Sequence, residues 1–335
     1  MDRRRTAILL TSLSTIVLVA CAGAQRGPSH QGPPNGRGQM AELPPLLARA
    51  MREQQRLRFT GTRRVLVRIG PESSLSTERV WKDSNQMRIE FGNTGAQRGQ
   101  VVLFRDGKRF HYFPETNEIQ VRPARLEDPM LRLTDLVRNR RGEKGPAVKE
   151  ADGGEIARIP TRLLIFSDPR GNVVGRLWVS PQNAMVLKRE LLDPAGRVIG
   201  SMEYTEVNLN PNFKPGDFEI NRKGAKIVTM DEVLDKLASK NGLRAVRLRT
   251  GDYQLENVRM IDLNGDGKAL AQSYVSRTGS RLTLFVLRDK VNAQRLEQLS
   301  SREINTAVRV SNGLRFILVG PLPQNQLADL LSRVN

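Results

Sequence analysis

The chain has 335 residues, room for about two domains, and its 39% apolar content is enough for a real core. Its 54 Lys+Arg against 35 Asp+Glu give a net charge of +19, which draws a protein to polyanions such as nucleic acid or anionic lipid. No zinc-finger, helix-turn-helix or RRM pattern accompanies that charge, so nucleic acid is not expected as a partner.

Met1 to Cys21 starts with Arg3-Arg4-Arg5 and continues with an apolar run from Ala7 to Ala20 that is too short and too polar to span a bilayer permanently. It reads as a signal peptide. Leu18-Val19-Ala20-Cys21 looks like a bacterial lipobox, with Cys21 the residue that would carry the lipid; cleavage after Ala22-Gly23-Ala24 is the competing reading. Cys21 is the single cysteine, so an intramolecular disulfide is excluded. A lipid on Cys21 would hold an otherwise soluble protein on a membrane, in the cell envelope and facing the periplasm or the exterior. The segment 22–39 is rich in Gly and Pro and poor in large apolar residues, as a flexible tether is.

From Met40 to Asn221 the pattern predicts a first domain. Leu43, Leu46, Leu47, Ala50, Met51, Gln54 and Leu57 recur at helical spacing. The period then changes to two, with Val65, Val67 and Ile69 alternating with Arg64, Leu66 and Arg68. Arg outnumbers Lys 42 to 12, and arginines standing singly within strands, such as Arg63, Arg64 and Arg68, read as solvated charges on a sheet face. Strands are predicted at Leu75 to Trp81, Gln86 to Phe91, Glu155 to Ser167, Val173 to Val179, Met185 to Leu192 and Val198 to Leu209. Between them Gln100 to Arg122 reads as a three-stranded meander turning at Asp106-Gly107 and Pro114 to Asn117. A second helix is predicted over Pro129 to Arg140 from Met130, Leu133, Leu136 and Val137. Helices on a long antiparallel sheet make an α+β domain. Several strands are apolar on both faces. If helices cover one side incompletely, that side becomes a cavity for an acyl chain, with Trp81, Met87, Ile89, Phe104, Phe110, Tyr112 and Trp178 as candidate lining residues.

A smaller α+β domain is predicted over 222–335. It has a helix at Met230 to Lys240, strands near Gln254 to Leu263, Ala269 to Ser276, Arg281 to Leu287, Ala307 to Val310 and Leu314 to Val319, and a last helical stripe of Leu327, Leu330, Leu331 and Val334. Asp262, Asn264 and Asp266 imitate the start of a calcium loop, but the twelfth position is Ser273, so a hairpin turn is preferred and no metal is expected. The two histidines, His30 and His111, and one cysteine assemble no catalytic pair or zinc site. Hydrolase and nucleotide-binding motifs do not occur, so neither an enzyme nor a cofactor is expected.

Trp81-Lys82-Asp83-Ser84-Asn85-Gln86-Met87-Arg88-Ile89-Glu90, the Asp106-Gly107-Lys108 hairpin and Tyr112-Phe113-Pro114 resemble the lipoprotein-carrier superfamily typified by LolA and LolB. Gly175 to Pro181, Leu187 to Asp193 and Gly196-Arg197-Val198 are closer still to the RseB/MucB family of envelope-stress regulators. Ser273 to Ser276, Leu282 to Val286 and Gly313 to Pro323 are similar to that family's second domain. The resemblance implies an unclosed antiparallel β half-barrel covering helices, an acyl lipid or lipidated protein as ligand, and a second domain that contacts a membrane-bound anti-sigma factor. The alternative implication is a LolA/LolB-like lipoprotein or lipid carrier or acceptor in outer-membrane lipoprotein sorting.

Overall fold

A computed structural model describes residues 43–69, 72–95, 97–124, 147–248, 250–263, 267–276, 279–297 and 304–334. The predicted signal peptide, Cys21, the tether, the helix at Pro129 to Arg140, and Asn264 and Asp266 lie outside the described residues. The chain divides into two compact units, Pro34–Ile119 with Arg125–Ala225 and Gln120–Ala124 with Lys226–Asn335. It is mostly β, with few helices and unclosed sheets.

The first unit opens with helix α1 (Pro45–Glu53), shorter than its apolar spacing suggests, which buries Leu47 and Ala50. Its strands are β1 (Arg58–Ile69), β2 (Glu72–Asp83), β3 (Gln86–Phe91), β4 (Val101–Arg105), β5 (Lys108–Phe113), β7 (Ala147–Ile156), β8 (Ile159–Ser167), β9 (Val173–Val179), β10 (Val186–Leu192) and β11 (Val198–Asn208). Strand β6 (Glu118–Pro123) carries the chain out of this unit. The strands lie in the order β5-β4-β3-β2-β1-β11-β10-β9-β8-β7, each antiparallel to its neighbour.

Local chemistry sets most of the hairpins. Asp106 and Gly107 sit at φ 54° and 69°, the geometry a two-residue type I′ turn demands. The predicted single strand over Glu155 to Ser167 is instead a hairpin, because Ala157 and Arg158 adopt φ 50° and 63° and reverse the chain between β7 and β8. Neither residue type advertises a left-handed turn, so the reversal carries no composition signal.

The second unit contains β12 (Lys226–Thr229), α2 (Met230–Lys240), β13 (Tyr253–Asp262), β14 (Lys268–Ser276), β15 (Arg281–Arg288), the short α3 (Gln294–Glu297), β16 (Asn305–Ser311), β17 (Leu314–Gly320) and α4 (Gln324–Ser332). Its five-stranded sheet runs β13-β14-β15-β17-β16. Thr229 caps α2 through its hydroxyl, while the Glu232 carboxylate accepts from the Thr229 N–H at 2.7 Å, a reciprocal cap. One core joins Leu234 and Ala238 of α2, Leu327 and Leu331 of α4 and Leu270, Leu284 and Leu318 of the sheet. A second core gathers Ala269, Phe285, Leu287, Leu296 and Ile317.

Candidate functional site

Because side chains alternate across a strand, the register assigns each residue of the first unit to one of two faces. Cross-strand partners share a face. One chain of partners runs Phe59↔Lys82↔Met87↔Phe104↔Arg109 and another Gly61↔Val80↔Ile89↔Val102↔His111. The same face continues through Arg63, Tyr204, Met202, Arg189, Leu177 and Leu164. Its apolar members are 0–4% exposed. This inner face is the deeply buried one of the sheet. Beside it, α1 is pinned to the turn between β9 and β10: Arg49 donates to the carbonyls of Pro181, at 2.9 Å, and of Gln182.

The inner face also holds charge. Arg63, expected in solvent, is 1% exposed, and its Nε lies 2.7 Å from Glu78 Oε2 on the paired strand. Arg64 and Arg68 are exposed as expected. The difference is phase: Arg63 lies two residues before Val65 and shares its side of the pleat. Ser76 Oγ stands 3.4 Å from the other Glu78 oxygen. The Arg63 guanidinium lies 5.9 Å over the Tyr204 ring, which in turn meets Phe59 edge-on at 5.6 Å. Lys82 is 7% exposed and donates to the Ser84 carbonyl at 2.8 Å; Arg189 is similarly buried. Toward β5, His111 Nε2 stands 2.8 Å from Gln100 Oε1, and its ring lies 4.0 Å from that of Phe113. Sequence reasoning missed this set, although the i, i+2 phase of Glu78 with Val80 and of Arg189 with Leu187 signals it.

The seven candidate pocket residues do not converge. Met87, Ile89 and Phe104 belong to the inner face. Trp81, Phe110, Tyr112 and Trp178 belong to the outer one, since Trp81↔Arg88↔Leu103↔Phe110 and Val101↔Tyr112 are partners and Trp178 pairs with Lys188. A one-residue difference in pleat phase separates the two sets by the thickness of the sheet, so they cannot line one cavity. The outer group is packed by other means. Arg79 and Arg88 lie 4.9 and 5.3 Å over Trp81. A strap, residues 209–223, crosses the outer face of β1 to β5. Arg88 donates to the Gly216 and Asp217 carbonyls, Arg105 donates to that of Phe218, Arg58 stacks on Phe213, and Arg222 of the strap stacks on Tyr112. Lys188 lies 4.8 Å over Trp178 and pairs with Glu190 and Glu203 at 3.3 and 3.1 Å, with Arg176 completing the ladder on Glu190.

A half-open cleft of about 280 Å³ lies on the outer side where the β1–β11 pairing shifts register between Thr62 and Arg63. It is lined by Thr60, Thr62, Arg79, Trp81, Glu206 and Asn208 among others. Of the seven candidates only Trp81 borders it.

In the second unit Tyr274 is a buried titratable group. Its hydroxyl accepts from the Leu248 N–H at 3.0 Å and donates to Gln272 Oε1 at 2.7 Å, and burial pushes its phenol up to about 12. It stays neutral and serves as a strut. Asp262 pairs with Lys268 at the end of the β13–β14 hairpin, whose turn is closed by Leu263 N–H on the Gly267 carbonyl. Among the described residues no group of His, Cys, Asp or Glu could hold a metal, and no helix is long and apolar enough to cross a membrane.

No family model matches the chain, and no curated protein does either. Among solved structures it is similar to the MucA/MucB complex of Pseudomonas aeruginosa, at 15% identity over 84% of this chain and 95% of that one, with a TM-score of 0.42. It is also similar to an uncharacterized conserved protein from Thermus thermophilus, at 18% identity over 55% and 96% with a TM-score of 0.38. A LolA-superfamily protein from Nitrosomonas europaea matches at 15% identity over 52% and 96% with a TM-score of 0.27.

Proposed function

We propose that this chain is a lipid-anchored, non-enzymatic binding protein of the cell envelope, of RseB/MucB type. Cys21 carries the lipid and the segment 22–39 tethers the body to the membrane. The first unit senses or holds an acyl lipid or a lipidated protein, and the chain regulates a protein partner such as a membrane-bound anti-sigma factor. The observation that supports this reading is the organisation in two units: a long open antiparallel sheet with one deeply buried face, followed by a smaller unit with cores of its own. A ligand that prefers one arrangement of such a protein must change its affinity for a partner by the same free energy.

Met87 and Phe104 are buried on the inner face, so a ligand reaches them only by displacing what covers them. Two measurements test the reading on protein extracted from membranes. Mass spectrometry is expected to find acyl mass on Cys21 and stoichiometric co-purifying lipid, and affinity capture is expected to retrieve a membrane-spanning partner. Lipid without a partner points to a LolA/LolB-like carrier or acceptor. Neither lipid nor partner overturns both readings.

A further inference from the structure

On the outer face of the first unit, where β1 and β2 run on past the end of β3, Leu75 is 59% exposed and Leu66 lies directly across from it; Ser201 of β11 is the next partner of Leu66, and Ile199, two residues before Ser201, is 37% exposed. Strand β3 pairs only with Glu78 to Asp83, and beyond it Gly92 donates to the Thr77 carbonyl at 2.8 Å, so among the described residues no strand flanks Leu75 on this side. Arg64 and Arg68 alternate with Leu66 along β1 on the same face; both are exposed, and among the described residues neither has an ion pair. The acid across from Arg64, Glu203, is committed to Lys188 Nζ at 3.1 Å.

We propose that this end of the β1–β2 hairpin docks on the surface of an anionic phospholipid bilayer, with Leu66, Leu75 and Ile199 entering the interface and Arg64 and Arg68 meeting headgroup phosphates. Exposed aliphatic side chains rimmed by cations match an interface that is apolar below and anionic above. Among the described residues the patch holds no aromatic anchor, a feature by which protein interfaces concentrate their energy. An overall charge of +19 adds a long-range attraction of the right sign. The contact does not depend on lipid at Cys21.

The test is vesicle flotation of the full chain carrying Cys21→Ala, which removes any attached lipid from the result. Phosphatidylcholine vesicles are compared with and without phosphatidylglycerol. Binding is expected only with phosphatidylglycerol and is expected to weaken with salt. Leu75→Ser is expected to reduce partitioning about tenfold, and Arg64→Gln and Arg68→Gln about fivefold each, with tryptophan emission of the folded protein unchanged. Three results overturn the proposal: no flotation, equal binding to neutral vesicles, or partitioning indifferent to Leu75→Ser combined with Ile199→Ser. The last would place lipid binding elsewhere in the molecule.

Discussion

The Arg63–Glu78 pair offers the sharpest test of the inner face. Both side chains are almost fully dry, at 1% and 5% exposure, with 2.7 Å between Nε and Oε2. Glu78→Gln keeps the shape but removes the charge that compensates the guanidinium. Breaking a buried pair in this way costs about 3–5 kcal/mol, against about 5–15 kcal/mol for the whole stability of a domain. Replacing both partners by Arg63→Met and Glu78→Leu removes the desolvated charges together and is expected to be near neutral or stabilising. The assay is urea unfolding followed by tryptophan emission. Both tryptophans, Trp81 and Trp178, belong to the first unit, so the signal isolates its transition from that of the second. A Glu78→Gln midpoint corresponding to less than about 1 kcal/mol of loss would refute a dry, mutually dependent pair.

The turn between β7 and β8 holds Ala157 and Arg158 at φ 50° and 63°, so Ala157→Asn with Arg158→Gly is expected to stabilise the first unit by about 1–2 kcal/mol in the same urea assay. A Cβ on Gly61 would come within 2.7 Å of the Glu206 carbonyl and 3.1 Å of the Tyr204 ring. Gly61→Ala is therefore expected to destabilise by about 1–3 kcal/mol and to lower the thermal midpoint seen by tryptophan emission. Three carboxyls are held below their usual range: Asp168 by the Asn172 side chain, Asp193 by the Arg197 N–H and Glu232 by the Thr229 N–H. Because their folded values are depressed, the stability they contribute is present above about pH 4 and is lost as the pH falls below it. Circular dichroism is expected to show an acid limb that is shallower in Asp168→Asn and Asp193→Asn.

How far the sequence discloses this architecture depends on how many faces of an element are buried. Where one face is wet, as along Arg64, Val65, Val67 and Arg68, the period of two is plain. The Asp106-Gly107 turn announces itself by residue types that favour its geometry. In β4 four consecutive residues from Val101 to Phe104 are buried, because the strap covers the side opposite the inner face, so hydrophobicity there loses its alternation. Reading those apolar residues as a single lining merged two faces. The strap itself has no signature: Leu209 to Lys223 is largely polar and Pro/Gly-containing, and it is held by guanidinium contacts to backbone carbonyls that no local pattern encodes. Arg63 is misjudged by composition and placed correctly by phase.

The two halves of the first sheet are held with unequal strength, and that bears on where a ligand could enter. The β1 to β5 half is fastened on both faces, by the Arg63–Glu78 pair within and by the Arg88 and Arg105 clamps on the strap without. On the β7 to β10 half the outer face carries an ion ladder whose Arg176 and Lys188 members remain partly in water; such pairs are worth at most about 1 kcal/mol each. Strand β7 is an edge strand with Lys149, Glu150 and Glu155 exposed. Opening for a hydrophobic ligand is thus expected to begin at β7 to β9 and to uncover Leu164, Phe166 and Leu177 before Met87 or Phe104. Hydrogen exchange should show amides of β8 exchanging at least tenfold faster than those of β1, since about 1.4 kcal/mol of difference in opening energy suffices for that ratio. Equal protection of the two strands would mean that the clamps on the strap and the dry ion pair add nothing to local stability.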